Sequence, residues 1–211
     1  MKTKIKLIIL ILGSFFLTSC IDIFHAVSLD KGNAKVTVRY TIQKGMLETI
    51  GSMSGEATDY SEFTDMGDEI FGDFNIIEAE ILTINTSYHL GAEVIIRGRV
   101  NDLVSELEES MFLPIKTDLG YEISIPSLNE GEESDEMALA FMSGSNYTLL
   151  LDLTGDLKKV KTARLKPSSE SEDFNEAGEI LVNIYGSSML VEIPIILLFM
   201  AEEDIVIELL Q

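Results

Sequence analysis

Apolar and polar residues alternate from Lys35 to Gln43, with Val36, Val38, Tyr40 and Ile42 on one parity and Thr37, Arg39 and Thr41 on the other. A period of two over that length predicts a strand with one buried face. The preceding segment, residues 20–33, is ambiguous, a short tether or a first strand. Gly45 to Gly55 reads as a loop, because glycine and serine crowd it. The period then changes. Tyr60, Phe63, Met66, Ile70, Phe71 and Phe74 recur every three or four residues among Asp59, Glu62, Asp65, Asp68, Glu69 and Asp73, which predicts an amphipathic helix over 59–74. Gly67 and Gly72 weaken it.

Downstream, Ile76 to Leu90 and Ala92 to Val100 pattern as a hairpin joined near Gly91. Asn101 is placed to cap a short helix carrying Leu103, Val104 and Leu107, which ends before Pro114. Ile115 to Lys116 and Tyr121 to Ile125 bracket a second hairpin. A short helix is expected through Met137, Leu139, Phe141 and Met142. Tyr147 to Leu153 and Lys159 to Leu165 read as strands around a Gly155-Asp156 turn, and Glu179 to Tyr185 with Met189 to Met200 as a closing hairpin. The run Ile195 to Met200 is continuously apolar and reads as a buried central strand, since it is far too short to span a bilayer. The expectation is an α+β fold. Residues 34–211 form a single domain with a mainly antiparallel sheet of about seven or eight strands and two or three helices.

Residues 1–19 stand apart from this pattern. Lys2, Lys4 and Lys6 precede an apolar run from Leu7 to Phe16, the layout of a signal peptide that is cleaved. Leu17-Thr18-Ser19-Cys20 resembles the bacterial lipobox, and Cys20 is the single cysteine of the chain. The resemblance implies a diacylglyceryl group on the Cys20 thiol, cleavage before it and an acylated, palmitate-bearing N-terminus. Two or three acyl chains anchor stably where one does not. Ile21 rather than aspartate follows Cys20, which by analogy with enterobacterial sorting favours the outer over the inner membrane of the cell envelope.

Charge narrows the remaining options. The chain has 15 Lys and Arg against 36 Asp and Glu, and removal of residues 1–19 takes three of those lysines and no acid. So acidic a body has no means of gripping nucleic-acid phosphates, and an anionic bilayer repels it, leaving adhesion to the lipid anchor. The segment from Gly45 to Leu157 holds only three bases, Arg97, Arg99 and Lys116. Lys158, Lys159, Lys161, Arg164 and Lys166 then follow closely, and are expected to pair with acids across the sheet.

Catalytic chemistry finds little footing. Gly51-Ser52-Met53-Ser54-Gly55 places methionine where a hydrolase elbow needs serine, and no zinc-protease, phosphate-loop or dinucleotide motif occurs. His25 and His89 are the only imidazoles and read as solvent-facing residues near the anchor and near a hairpin tip. The acidic loop 129–136 lacks the EF-hand order of ligands and reads as a solvated loop. No catalytic residue, metal ligand or cofactor is assigned. The methionines suit core gaps or an apolar binding surface.

The order of elements from Asn146 to Lys166, a Tyr-Thr-led apolar strand, a glycine turn and an alanine-containing strand followed by a closing hairpin, resembles LppM-like bacterial lipoproteins. That resemblance implies an α+β domain with lipid or glycolipid binding. The expectation is a non-enzymatic, membrane-anchored envelope lipoprotein holding a lipid or other apolar ligand, with Phe63, Met66, Ile70, Phe71 and Phe74 as pocket candidates. The alternative is a structural or interaction lipoprotein that binds an envelope protein through an acidic face. Oligomeric state is left open.

Overall fold

The computed structural model describes residues 21–54, 78–106, 113–127, 144–166, 180–201 and 204–211. Strand β1, Ile21–Asp30, turns through Lys31-Gly32 into β2, Asn33–Gln43, and the two pair in register from Ile21↔Ile42 to Asp30↔Asn33. Of the two readings left open for this segment the strand is the one observed, and it lies in the middle of a sheet. Strands β3 (Glu78–Asn85) and β4 (His89–Arg99) extend the sheet beyond β2. On the other side follow β7 (Asn146–Asp152), β10 (Ser188–Pro194) and β9 (Leu181–Tyr185). The order is β3-β4-β2-β1-β7-β10-β9. Every pair is antiparallel except β1 and β7, so the sheet is mixed.

A second sheet, in the order β5-β6-β11-β8, comprises β5 (Ile115–Lys116), β6 (Gly120–Ile125), β11 (Ile205–Leu210) and β8 (Thr162–Leu165). The period of two explains how the sheets meet. His25, Val27 and Leu29 of β1, Val36 and Val38 of β2, Tyr147, Leu149 and Leu151 of β7, and Met189, Val191 and Ile193 of β10 all point to one buried side. Ile123 and Ile125 of β6, Ile205, Ile207 and Leu209 of β11 and Ala163 of β8 join the same hydrophobic cluster. One core thus lies between two sheets. Burying each of its large apolar side chains contributes about 1.5–3 kcal/mol.

Several expectations are corrected here. The two strands expected around Gly155-Asp156 do form, as β7 and β8, but they belong to different sheets, and a 3-10 turn, Gly155–Leu157, carries the chain between them. The β3–β4 hairpin turns at Thr86-Ser87-Tyr88 and not near Gly91, which lies inside β4. At Gly91 a Cβ atom would come within 2.0 Å of the Tyr40 carbonyl oxygen, so the glycine serves close strand approach and not a turn. The apolar run Ile195–Met200 is a helix, α3, not a central strand. Pro194 ends β10 opposite Asn146, where β7 itself begins, so among the described residues those beyond have no strand to pair with. A helix satisfies their backbone internally while burying Ile195, Leu197 and Leu198.

Residues expected to form a loop fold as helix α1, Lys44–Ser54. Met46, Leu47 and Gly51 are buried along one face. The Thr49 hydroxyl donates to the Gly45 carbonyl at 2.7 Å and the Ser52 hydroxyl to the Thr49 carbonyl at 2.8 Å. A third helix, α2, spans Val100–Glu106. Among the described residues there are eleven strands and three helices, more strands than the expected seven or eight, and β11 was not anticipated at all. The α+β class holds. No helix among the described residues is long and apolar enough to cross a membrane.

Candidate functional site

The sheet geometry defines two ends. β1 starts at Ile21, directly after Cys20, and β4 and β7 run the same way. All three finish at the far end, at Asp30, Arg99 and Asp152. Four chain reversals converge there around a cleft of about 620 Å³, within the roughly 300–1,000 Å³ typical of ligand sites. Leu29, Val100, Val104, Pro114, Ile115 and Tyr121 give it apolar walls. Gly32, Asn101, Lys116 and Asp156 add polar groups. An adjoining hollow of about 370 Å³ shares Gly32, Val100 and Asn101 and adds Lys31, Asn33 and Arg99.

Local sequence explains how each wall is held. Lys31 and Gly32 have φ of 51° and 75°, the paired positive values of a two-residue hairpin turn whose twist matches its strands. Lysine is an unusual residue there, since side chains with a Cβ cost about 1–2 kcal/mol in the left-handed region. The Gly32 N–H donates to Asp156 Oδ2 at 2.9 Å, and the Gly32 carbonyl accepts from the Val100 N–H at 3.0 Å. The turn therefore ties the 3-10 segment to the start of α2. Gly155 makes the approach feasible: its φ is 54°, and a Cβ there would sit 2.1 Å from the Leu29 carbonyl oxygen. On the opposite wall the Tyr121 hydroxyl donates to the Asp156 carbonyl at 3.2 Å. Burial raises the Tyr121 phenol above its ordinary range, and the Asp156 charge adds to the effect.

The imidazoles behave otherwise than expected. His25 is fully buried on the core face of β1, and its Nδ1 shares a 2.6 Å hydrogen bond with the Tyr147 hydroxyl. The rings meet edge to face at 6.0 Å between centroids. Burial holds the Tyr147 phenol well above its usual range. His89 is half-buried at the start of β4, where its N–H donates to Thr86 Oγ1 at 2.9 Å. His25 lies opposite Val38 of β2 and His89 opposite Gln43, so the fold does not bring them together. Among the described residues no group of three or more His, Cys, Asp or Glu could hold a metal ion.

The pocket candidates Phe63, Met66, Ile70, Phe71 and Phe74, the acidic loop 129–136 and Cys20 lie outside the described residues. The basic segment divides. Arg164 Nε contacts Glu208 at 2.7 Å directly across β8 and β11, and Lys166 Nζ contacts Glu122 at 3.1 Å, the cross-strand pairing expected of them. Lys158, Lys159 and Lys161 precede β8 and are exposed. The cleft residues were not singled out in sequence. Their signal was only turn chemistry, Lys31-Gly32 just before an alternating segment and Gly155-Asp156 after an apolar one.

A second, shallower hollow of about 280 Å³ lies on the outer face of the larger sheet, over Ala26, Thr37 and Leu150 with Ser28, Lys35, Asp152 and Ser188 around them. Asp152 is held below the usual carboxylate range by hydrogen bonds from Thr154, with a smaller contribution from Ser28, against a small opposing effect of burial. Its Oδ1 accepts from the Thr154 N–H at 2.9 Å and its Oδ2 from the Ser28 hydroxyl at 3.3 Å. The volume and the apolar walls favour the cleft over this hollow as a ligand site. No protein-family model matches the chain, and no curated protein is significantly similar to it.

Proposed function

We propose that the chain is a non-enzymatic bacterial envelope lipoprotein, anchored through acylated Cys20, with the outer membrane favoured. Its folded part binds the apolar portion of a lipid or a similar ligand in the cleft beneath the Lys31-Gly32 turn. One observation carries this reading: a concave site of about 620 Å³ with six apolar wall residues, beside the buried core. The element order β7, turn, β8 and the β9–β10 hairpin accords with the LppM-like pattern. With ten residues in β1 at about 3.3 Å each, the cleft sits roughly 30 Å from the anchor.

The chain contains no tryptophan, so Val104→Trp introduces a single reporter in the cleft wall. In vesicles carrying the full acylated protein, a free fatty acid with a brominated chain should quench this residue and spare a Tyr185→Trp reporter on exposed β9. Equal quenching of both, or of neither while the protein stays on the vesicles, refutes the cleft as the site.

The interaction-protein reading draws on β9. Among the described residues it is an edge strand, with exposed Leu181, Ile184 and Tyr185 and no charged residue, features that invite strand addition by a partner.

A further inference from the structure

The cleft has the wrong charge for its protein. The chain carries 36 acids and 15 bases, yet three bases, Lys31, Arg99 and Lys116, line the cleft and the adjoining hollow, and among the described residues that line them Asp156 is the one acid. Residues 45–157 contain three bases in all, and two of them stand here. They come from separate elements: Lys31 from the β1–β2 turn, Arg99 from the end of β4 and Lys116 from β5. All three are exposed. The local acids do not cancel them. Asp156 already accepts from the Gly32 N–H, and Asp30 lies 3.9 Å from Lys31 with both side chains mostly in water. Lys31 itself occupies a left-handed position that glycine or asparagine would fill more comfortably, which places an ammonium where turn chemistry does not ask for one.

From this juxtaposition of apolar walls and cationic rim we infer that the ligand is a single-chain anionic amphiphile, its acyl chain against Val100, Val104 and Ile115 and its anionic head among Lys31, Arg99 and Lys116. The inference rests on the cleft being a binding site and adds the charge of the ligand. Pairing at an exposed rim is weak per contact and screened by salt, so the three bases act as a selectivity device more than as the source of affinity.

The test titrates vesicle-bound, full acylated protein carrying Val104→Trp with lysophosphatidate and with lysophosphatidylcholine bearing the same brominated chain. Lysophosphatidate should quench at about tenfold lower concentration at low salt, and about 0.5 M NaCl should erase most of that advantage. Arg99→Gln and Lys116→Gln should each reduce the preference about threefold, whereas Lys44→Gln, at the anchor end of the sheet, should leave it intact. Lys31→Gly is the decisive variant. It relieves the left-handed turn and so keeps or raises the melting temperature, while lowering the preference like the other two. Equal titration by both head groups, or a preference that survives all three substitutions, overturns the charge assignment and leaves apolar binding standing. Quenching by neither amphiphile overturns both.

Discussion

Replacing Tyr147 with phenylalanine isolates one buried polar contact from the packing around it. The ring remains, along with its edge-to-face contact with His25 at 6.0 Å. Only the hydroxyl that meets His25 Nδ1 at 2.6 Å is lost. Both side chains are buried among core residues of β1 and β7, so water cannot replace the bond without entering the core. A net hydrogen bond contributes about 1 kcal/mol, and stranding a buried polar partner costs about 1–3 kcal/mol, so Tyr147→Phe should destabilise by about 2 kcal/mol at neutral pH. For a chain of this size that corresponds to a fall of about 4–8 °C in melting temperature. Tyr88→Phe, at a position 76% exposed, should change stability by less than about 0.5 kcal/mol. The pH dependence gives a second readout. The Tyr147 phenol is raised by burial, so the folded state holds its proton while the unfolded chain releases it above the ordinary value of 10.0. That stabilisation is complete below pH 10 and declines as pH rises further, and Tyr147→Phe lacks the decline. The stability gap between wild type and variant should therefore narrow in strongly alkaline solution. Urea unfolding at neutral and alkaline pH measures both effects. An unchanged midpoint at neutral pH, with an unchanged slope, would refute the account of the His25–Tyr147 pair as a stabilising core contact.

Gly155→Ala should destabilise the fold by about 1–3 kcal/mol, because a Cβ would meet the Leu29 carbonyl oxygen at 2.1 Å in a backbone conformation that alanine disfavours, and it should weaken quenching of the Val104→Trp reporter by displacing Asp156. A folded variant with unaltered quenching would separate that turn from the cleft. Asp152→Asn should be less stable than wild type at neutral pH, with the difference vanishing as pH falls below the usual carboxylate value of 3.8, since a depressed carboxyl group stabilises only where the unfolded chain is ionised. Chemical unfolding at pH 7 and pH 3 checks this, and a gap that persists unchanged at pH 3 contradicts it. Cys20→Ala should abolish acylation and release the protein from the membrane fraction, because so acidic a chain has no electrostatic hold on an anionic bilayer. Retention in the detergent-extractable pool would overturn the anchor assignment.

Where neighbouring residues determine the pattern, the fold was readable. β2, β4 and the β5–β6 and β9–β10 hairpins follow from alternation bounded by glycine turns, because a half-buried strand must put every second side chain into the core. β1 was harder to see. His25 sits in its buried row and Phe24 in its outer row, beneath the Arg39 guanidinium at 5.2 Å, so the chemistry of the side chains runs against the parity of the strand. α1 was obscured for a different reason. Its glycines and serines have the composition of a loop, and burial of Met46 and Leu47 offsets helix losses of about 1 kcal/mol per glycine. The run Ile195–Met200 carries no periodicity at all, and its state is decided by a missing neighbour: β7 begins opposite Pro194, so among the described residues there is no strand for it to join.

The cleft was less legible than any of these elements, and the reason is topological. Lys31, Arg99, Lys116 and Asp156 belong to four reversals spread over more than half the chain, and each reads alone as an ordinary turn residue. What unites them is the pairing of β1 with β7, the one parallel contact in the larger sheet. Had β7 run the other way, Asp152 and the Gly155–Leu157 turn would lie beside Ile21, and Asp156 could not reach Gly32. The parallel pairing instead carries β7 to the end where β1 turns, and the hydrogen bond from Gly32 to Asp156 closes that end. The same pairing opposes cleft and anchor. The chain enters the sheet at Ile21, immediately after Cys20, and β1 runs unbroken to Asp30, so the walls of the cleft are assembled a full strand's length from the strand's start.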